Sequence, residues 1–111
     1  MAALTTTVVP IDGTAVSFTA AAGGGDDCQT GAGVLLLVRN DDASPHTVTL
    51  ETPGVVDGDL AIGDRAVAVA AGAQVAIPVT NRYRDPSTGR ASITYDAVTS
   101  VTVAVVRVPL S

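Results

Sequence analysis

Apolar and polar residues alternate with a period of two along most of the chain, in short runs cut by Gly, Pro, Asn and Asp, and helical spacing is nearly absent. That pattern predicts an all-β protein. Thr14 to Ala20 places Val16 and Phe18 on one face and Ala15, Ser17 and Thr19 on the other, as in a half-buried strand. Val34 to Val38 is continuously apolar and predicts a central strand covered on both faces, followed by a turn over Asn40 to Pro45. From His46 the next strand sends Val48 and Leu50 inward and Thr47, Thr49 and Glu51 outward, until Pro53-Gly54 ends it. Residues 54 to 64 form a longer connection. Arg65 to Ala70 and Gln74 to Val79 flank Ala71-Gly72-Ala73, a linker of hairpin length, with Val67 and Val69 expected to face Val75, Ile77 and Val79. Pro78 lacks a backbone donor, so that second strand is expected to lie at an edge or to end there. Beyond a loop from Asn81 to Gly89, Ala91, Ile93 and Tyr95 alternate with Ser92, Thr94 and Asp96, and a final strand runs from Ser100 to Val108.

Seven or eight strands at about 10-residue spacing predict a single-domain β-sandwich or a jelly-roll-like barrel over residues 13–111. Two segments stand apart. Residues 1–12 read as a mobile amino-terminal arm: Leu4 to Pro10 is rich in Thr and Val but is stopped by Pro10 and Asp12-Gly13, so it suits an edge strand or a reach toward a neighbour. Residues 21–33, with Gly23, Gly24, Gly25, Gly31 and Gly33, have no period and read as a flexible loop.

A chain of 111 residues suits one domain and can bury about 65% of its unfolded surface, so a core forms without disulfide or metal. The single Cys28 excludes an internal disulfide. Aromatic residues are limited to Phe18, Tyr83 and Tyr95, so the core must be closely packed Val, Ala, Leu and Ile. The opening residues carry neither the positive start nor the apolar stretch of a secretory signal, and export is not expected. No apolar run reaches membrane-spanning length. A net charge of -5 argues against a binder of free nucleic acid, which needs a basic face to displace counterions. All six basic residues are Arg, while Ala and Val supply 18 residues each, the bias of a GC-rich genome.

Candidate chemistry is sparse. Asp57, Asp59 and Asp64 invite a calcium site, but a calcium-binding loop starting at Asp57 would need ligands where Ala61 and Ala68 stand. Asp26-Asp27 and Asp41-Asp42 read as solvated turns. Cys28 and His46 are the only residues of their kinds, and Cys28 lies in the glycine-rich loop, a poor platform for a nucleophile. No Gly-x-Ser-x-Gly elbow occurs, and the glycines from 23 to 33 do not match a dinucleotide-binding loop, since Cys28 and Leu36 break the spacing. No catalytic, metal or cofactor site is expected, and the chain is not expected to be an enzyme. Arg82-Tyr83-Arg84 is the most informative exposed cluster, because Tyr and Arg anchor protein interfaces. The alternative is a Tyr packed on the sandwich end with its Arg neighbours paired to nearby Asp. With Leu4, Val8 and Val9 of the arm, these three residues are the candidate contact surface.

Leu35 to Ser44 (LLLVRNDDAS), Val48 to Ala73 (VTLETPGVVDGDLAIGDRAVAVAAGA) and Ser92 to Val108 (SITYDAVTSVTVAVVRV) resemble segments of small virion proteins of tailed phages that infect actinobacteria. The first 33 residues are similar only in general character. The resemblance implies a head-associated structural role, chiefly decoration of the outer capsid surface, with the major capsid protein as partner and, by analogy with decoration proteins, a homotrimer. It implies a location on the virion after synthesis in the host cytoplasm. Alternatives are a head-tail connector or tail component, and, from a different class, a carbohydrate- or receptor-binding adhesion module. The absence of Trp and the scarcity of aromatic platforms weigh against the last.

Overall fold

The computed structural model describes residues 2–53, 55–56, 60–61 and 63–109. Twelve strands are present: β1 (Ala2–Ala3), β2 (Thr6–Val8), β3 (Thr19–Ala20), β4 (Asp26–Cys28), β5 (Val34–Asn40), β6 (His46–Leu50), β7 (Val55–Val56), β8 (Leu60–Ala61), β9 (Arg65–Val69), β10 (Gln74–Pro78), β11 (Ala91–Tyr95) and β12 (Val101–Arg107). One sheet has the order β1-β4-β11-β6-β9, and the second has β10-β5-β12-β2 with β3 also on β12. β7 and β8 form a small ribbon of their own within the connection expected there. The protein is a β-sandwich. Its count exceeds seven or eight because six of the strands are only two or three residues long.

The core lies between the two sheets and is built from alternate residues of each. Leu36 and Val38 of β5, Val48 and Leu50 of β6, Ala91 and Ile93 of β11 and Val101, Val103 and Val105 of β12 are all buried in one cluster. Full burial of such a side chain contributes about 1.5–3 kcal/mol, so the small aliphatic residues suffice by number. On β5 the burial alternates, with Leu35 and Leu37 only half-buried. It is β12 instead whose two faces are both buried over Val103 to Val106.

Four other expectations change. Residues 65–79 do not form a hairpin: β9 pairs with β6 in one sheet and β10 with β5 in the other. The turn explains why. Ala73 N–H donates to the Ala70 carbonyl at 3.0 Å and Gly72 has φ +73°, as at the third position of a type II turn, a type that splays strands instead of pairing them. Val67 and Val75 still reach the same core. β10 is an edge strand, as Pro78 requires.

The segment 14–20 is a strand only at Thr19–Ala20. β2 already occupies β12 at Val105 to Arg107, leaving Thr102 and Val103 for β3. Within 21–33, the segment read as a flexible loop, β4 is an inner strand of its sheet, with Asp26 and Cys28 buried. The opening residues are not a mobile arm either but take the edge-strand reading, with β1 and β2 each at the edge of a sheet. β1 pairs in parallel with β4 and β2 in parallel with β12, so one short segment crosses from sheet to sheet. Leu4 N–H donates to the Asp27 carbonyl at 2.8 Å, and Leu4 packs on the core.

Candidate functional site

Strand register gives the sandwich two chemically different ends. β5 starts at Val34 opposite Arg107 and finishes at Asn40 opposite Val101. At the Asn40 end, His46 begins β6 and Asp96 follows β11. Both imidazole nitrogens face carboxylates: Nε2 lies 2.8 Å from Asp42 Oδ2 and Nδ1 lies 3.3 Å from Asp96 Oδ1. The hydrogen bond with Asp42 is the main cause that raises the His46 pKa, and those with His46 and the Ala43 amide hold Asp42 low. Asp96 is lowered chiefly by the Thr47 amide. Asp41 pairs with Arg39.

Cys28 pairs with Ala91 toward the other end. Six residue steps along β11 separate its level from that of His46, about 20 Å at strand rise. The two cannot act as a nucleophile and base. Burial, the largest effect on Cys28, pushes its thiol up to about 11. Cys28 is a core residue, not a loop thiol.

The pair Asp26-Asp27 is divided between two tasks. Asp26, 1% exposed, accepts from the Tyr95 hydroxyl at 2.6 Å and from the Ala22 amide at 3.2 Å. Tyr95 is raised by burial first and by this hydrogen bond second. Asp27 forms an ion pair with Arg90, whose guanidinium also donates to the Leu4 carbonyl at 3.0 Å. Asp64 accepts from the Thr52 amide at 2.8 Å. Asp57 and Asp59 lie outside the described residues. Among the described residues no three His, Cys, Asp or Glu side chains form a metal-binding group.

The Arg107 end carries the other arginines. After β10 the chain enters a short 3-10 helix, Asn81–Tyr83, whose first turn is held by Thr80: its hydroxyl accepts from the Arg82 amide and its carbonyl from the Tyr83 amide. Asp85 then closes the loop. Its carboxylate accepts from the Ser87 amide at 2.9 Å and the Ser87 hydroxyl at 2.8 Å, bonds that lower its pKa, and its amide donates to the Arg90 carbonyl. Tyr83 packs against the core, as one reading of this cluster had it. Arg82 and Arg84 are exposed and have no ion-pair partner among the described residues, which that reading had supplied. The loop is therefore a fixed platform for two free guanidinium groups.

No family model, curated protein or solved structure matches the chain.

Of the arm residues, Leu4 is spent on the core, Val9 is half-buried with its amide on the Arg107 carbonyl, and Val8 is 51% exposed. Two more exposed apolar residues belong with Val8. Val108 follows its pairing partner Arg107, and Ile11 tips the turn closed by Gly13 N–H to the Pro10 carbonyl. Val8, Ile11 and Val108 are the exposed large hydrophobic residues among those described, and all three lie toward the arginine end. Ile11, Val108 and Arg107 were not among the expected contacts. Their signal is three-dimensional, since only the parallel pairing of β2 with β12 brings residue 8 beside residue 107.

Proposed function

We propose that this chain is a structural protein of a tailed-phage virion that binds the outer surface of the capsid and reinforces it, as a head decoration or minor capsid protein. In this role it acts as a homotrimer on the major capsid protein and forms no covalent bond with any substrate. The resemblance of residues 35–44, 48–73 and 92–108 to actinobacteriophage virion proteins supports this reading. The structural observation that carries it is the arginine end, where exposed Val8 pairs with Arg107 and exposed Arg84 lines the same cleft as Arg107. Exposed apolar residues beside arginine are the composition of a protein-binding surface. Each copy need bind only weakly, because a repeating lattice multiplies contacts and binding to the assembled shell alone stabilises that shell.

Particle imaging and quantitative protein analysis of the phage that encodes the chain test this directly. The expected result is density on the outer shell at a copy number near that of the capsid subunit. A few copies in a ring at the neck or tail would assign it to the connector or tail, and its absence from intact particles would end the reading. Arg84→Ala is expected to lower occupancy without altering the fold, because Arg84 is exposed.

A further inference from the structure

We infer that the arginine end holds a carboxylate-binding groove that takes an acidic, extended segment of a partner protein. Two clefts meet there. One, of about 400 Å³, is lined by Gln29, Thr30, Asn81, Arg84 and Arg107. The other, of about 440 Å³, is lined by Leu4, Thr6, Val8, Gln29, Arg90 and Arg107. Gln29 and Arg107 belong to both, so the clefts run on as one groove from the 3-10 helix to the amino-terminal strand.

The guanidinium groups along this groove are not equivalent. Arg90 is committed to Asp27 and to the Leu4 carbonyl. Arg84 and Arg107 have no ion pair among the described residues. Arg107, the last residue of β12, continues the core-facing alternation of Val101, Val103 and Val105 and is exposed, so it stands at the mouth of the sandwich. Neutral partners stand beside these cations. Asn81 accepts from the Thr30 hydroxyl at 2.9 Å, which leaves its amide nitrogen to donate outward. The hydroxyl oxygen of Thr6 is buried in the wall of the second cleft without a hydrogen-bond partner among the described residues.

A planar guanidinium matches a carboxylate through two parallel hydrogen bonds. An open groove with two separated guanidinium groups suits carboxylates spaced along a peptide better than one small anion. Leu4 and Val8 give the same groove an apolar wall for the peptide's uncharged side chains. The inference goes beyond the capsid reading, since it names the chemistry of the ligand whichever protein carries it, and its test uses no virion.

The test is a titration of the full, nitrogen-15-labelled chain with a capped peptide of alternating glutamate and alanine, followed by nuclear magnetic resonance. Saturable shifts are expected at the amides of Gly31, Asn81 and Gly89 and at the side-chain nitrogens of Arg84 and Arg107. The glutamine-alanine peptide should cause none. Arg84→Gln and Arg107→Gln should each weaken binding about ten-fold, the effect of losing one charge-assisted hydrogen-bonded contact, with spectra otherwise those of the folded protein. Should Arg107→Gln unfold, Arg84→Gln decides alone, since that side chain is exposed. Shifts elsewhere or none at all, equal binding of the glutamine peptide, unchanged affinity in the variants, or tighter binding of inorganic phosphate or oligothymidylate at the same residues would each overturn the inference.

Discussion

The side-chain amide of Asn40, the last residue of β5, donates to the Val69 carbonyl at the end of β9, 3.1 Å away and in the opposite sheet. The same nitrogen reaches the Ser44 carbonyl at 2.9 Å, and Asn40 Oδ1 accepts from the Asp42 amide at 3.0 Å. One fully buried residue thus joins both sheets and the turn that leads to β6. Asn40→Ala leaves those buried backbone groups unpaired and should cost about 2–4 kcal/mol, measured as a lower urea midpoint. Asn40→Asp, of nearly the same shape but without donors, should be no better.

Arg90 is the corresponding tie for the first strand. Arg90→Ala removes the ion pair with Asp27 and the bond to the Leu4 carbonyl, and about 1–3 kcal/mol of stability should go with them. The loss should be local first: amide hydrogen exchange should quicken over residues 2–8 before it does in β5 or β12. Removal of residues 1–10 is expected to lower the unfolding midpoint as well, because it strips β1 from one sheet and β2 from the other.

Stability should fall on both sides of a mildly acidic optimum. The His46 pKa is raised in the folded state, chiefly by Asp42, so its contribution is complete below the ordinary imidazole value of about 6.5 and disappears as pH rises through the folded value. Asp42, Asp85 and Asp96 are lowered, so their contribution is complete above the ordinary carboxylate value and is lost as pH falls through their folded values. Unfolding curves from pH 3 to pH 9 should show both slopes, and His46→Gln should remove the alkaline one.

Cys28 is fully buried, and burial holds its thiol protonated. A disulfide reagent added to the native protein at pH 7.5 should react slowly, at the rate of unfolding, and at once in concentrated urea. Rapid reaction of the native protein would mean that β4 opens easily.

Gly33 has φ +79°, accepts a hydrogen bond from the Val108 amide on its carbonyl at 2.9 Å, and approaches the Val108 carbonyl so closely that a Cβ would collide with it. Gly33→Ala should therefore cost about 2–4 kcal/mol and roughly 10 °C or more in melting temperature. Gly24→Ala, with open space around it and no positive φ, should be nearly neutral.

The strands that could be read in the sequence are those whose own residues alternate. Val48 and Leu50 against Thr47 and Thr49, and Ala91 and Ile93 against Ser92 and Thr94, locate β6 and β11 and their inner faces without help from the rest of the chain. β4 could not be read that way. Asp-Asp-Cys after three glycines carries no strand propensity; the buried Asp26 is tolerable there because Tyr95 and the Ala22 amide bond its carboxylate, while Arg90 pairs with Asp27 and β11 takes up the strand. The hairpin expectation failed on turn chemistry, since spacing alone does not tell a pairing turn from a splaying one. At the functional end, Arg82 and Arg84 stand out by residue type. Arg107 joins Val8 through a pairing that spans nearly the whole chain.

The pairing of Thr6 to Val8 with Val105 to Arg107 also sets the order in which the molecule can be finished. Its partners are separated by almost the full length of the polypeptide, the most demanding loop closure available to it. The arginine end, bordered by that pair, cannot form until Val105 to Arg107 have been made, so the earlier strand of the pair waits for the later one.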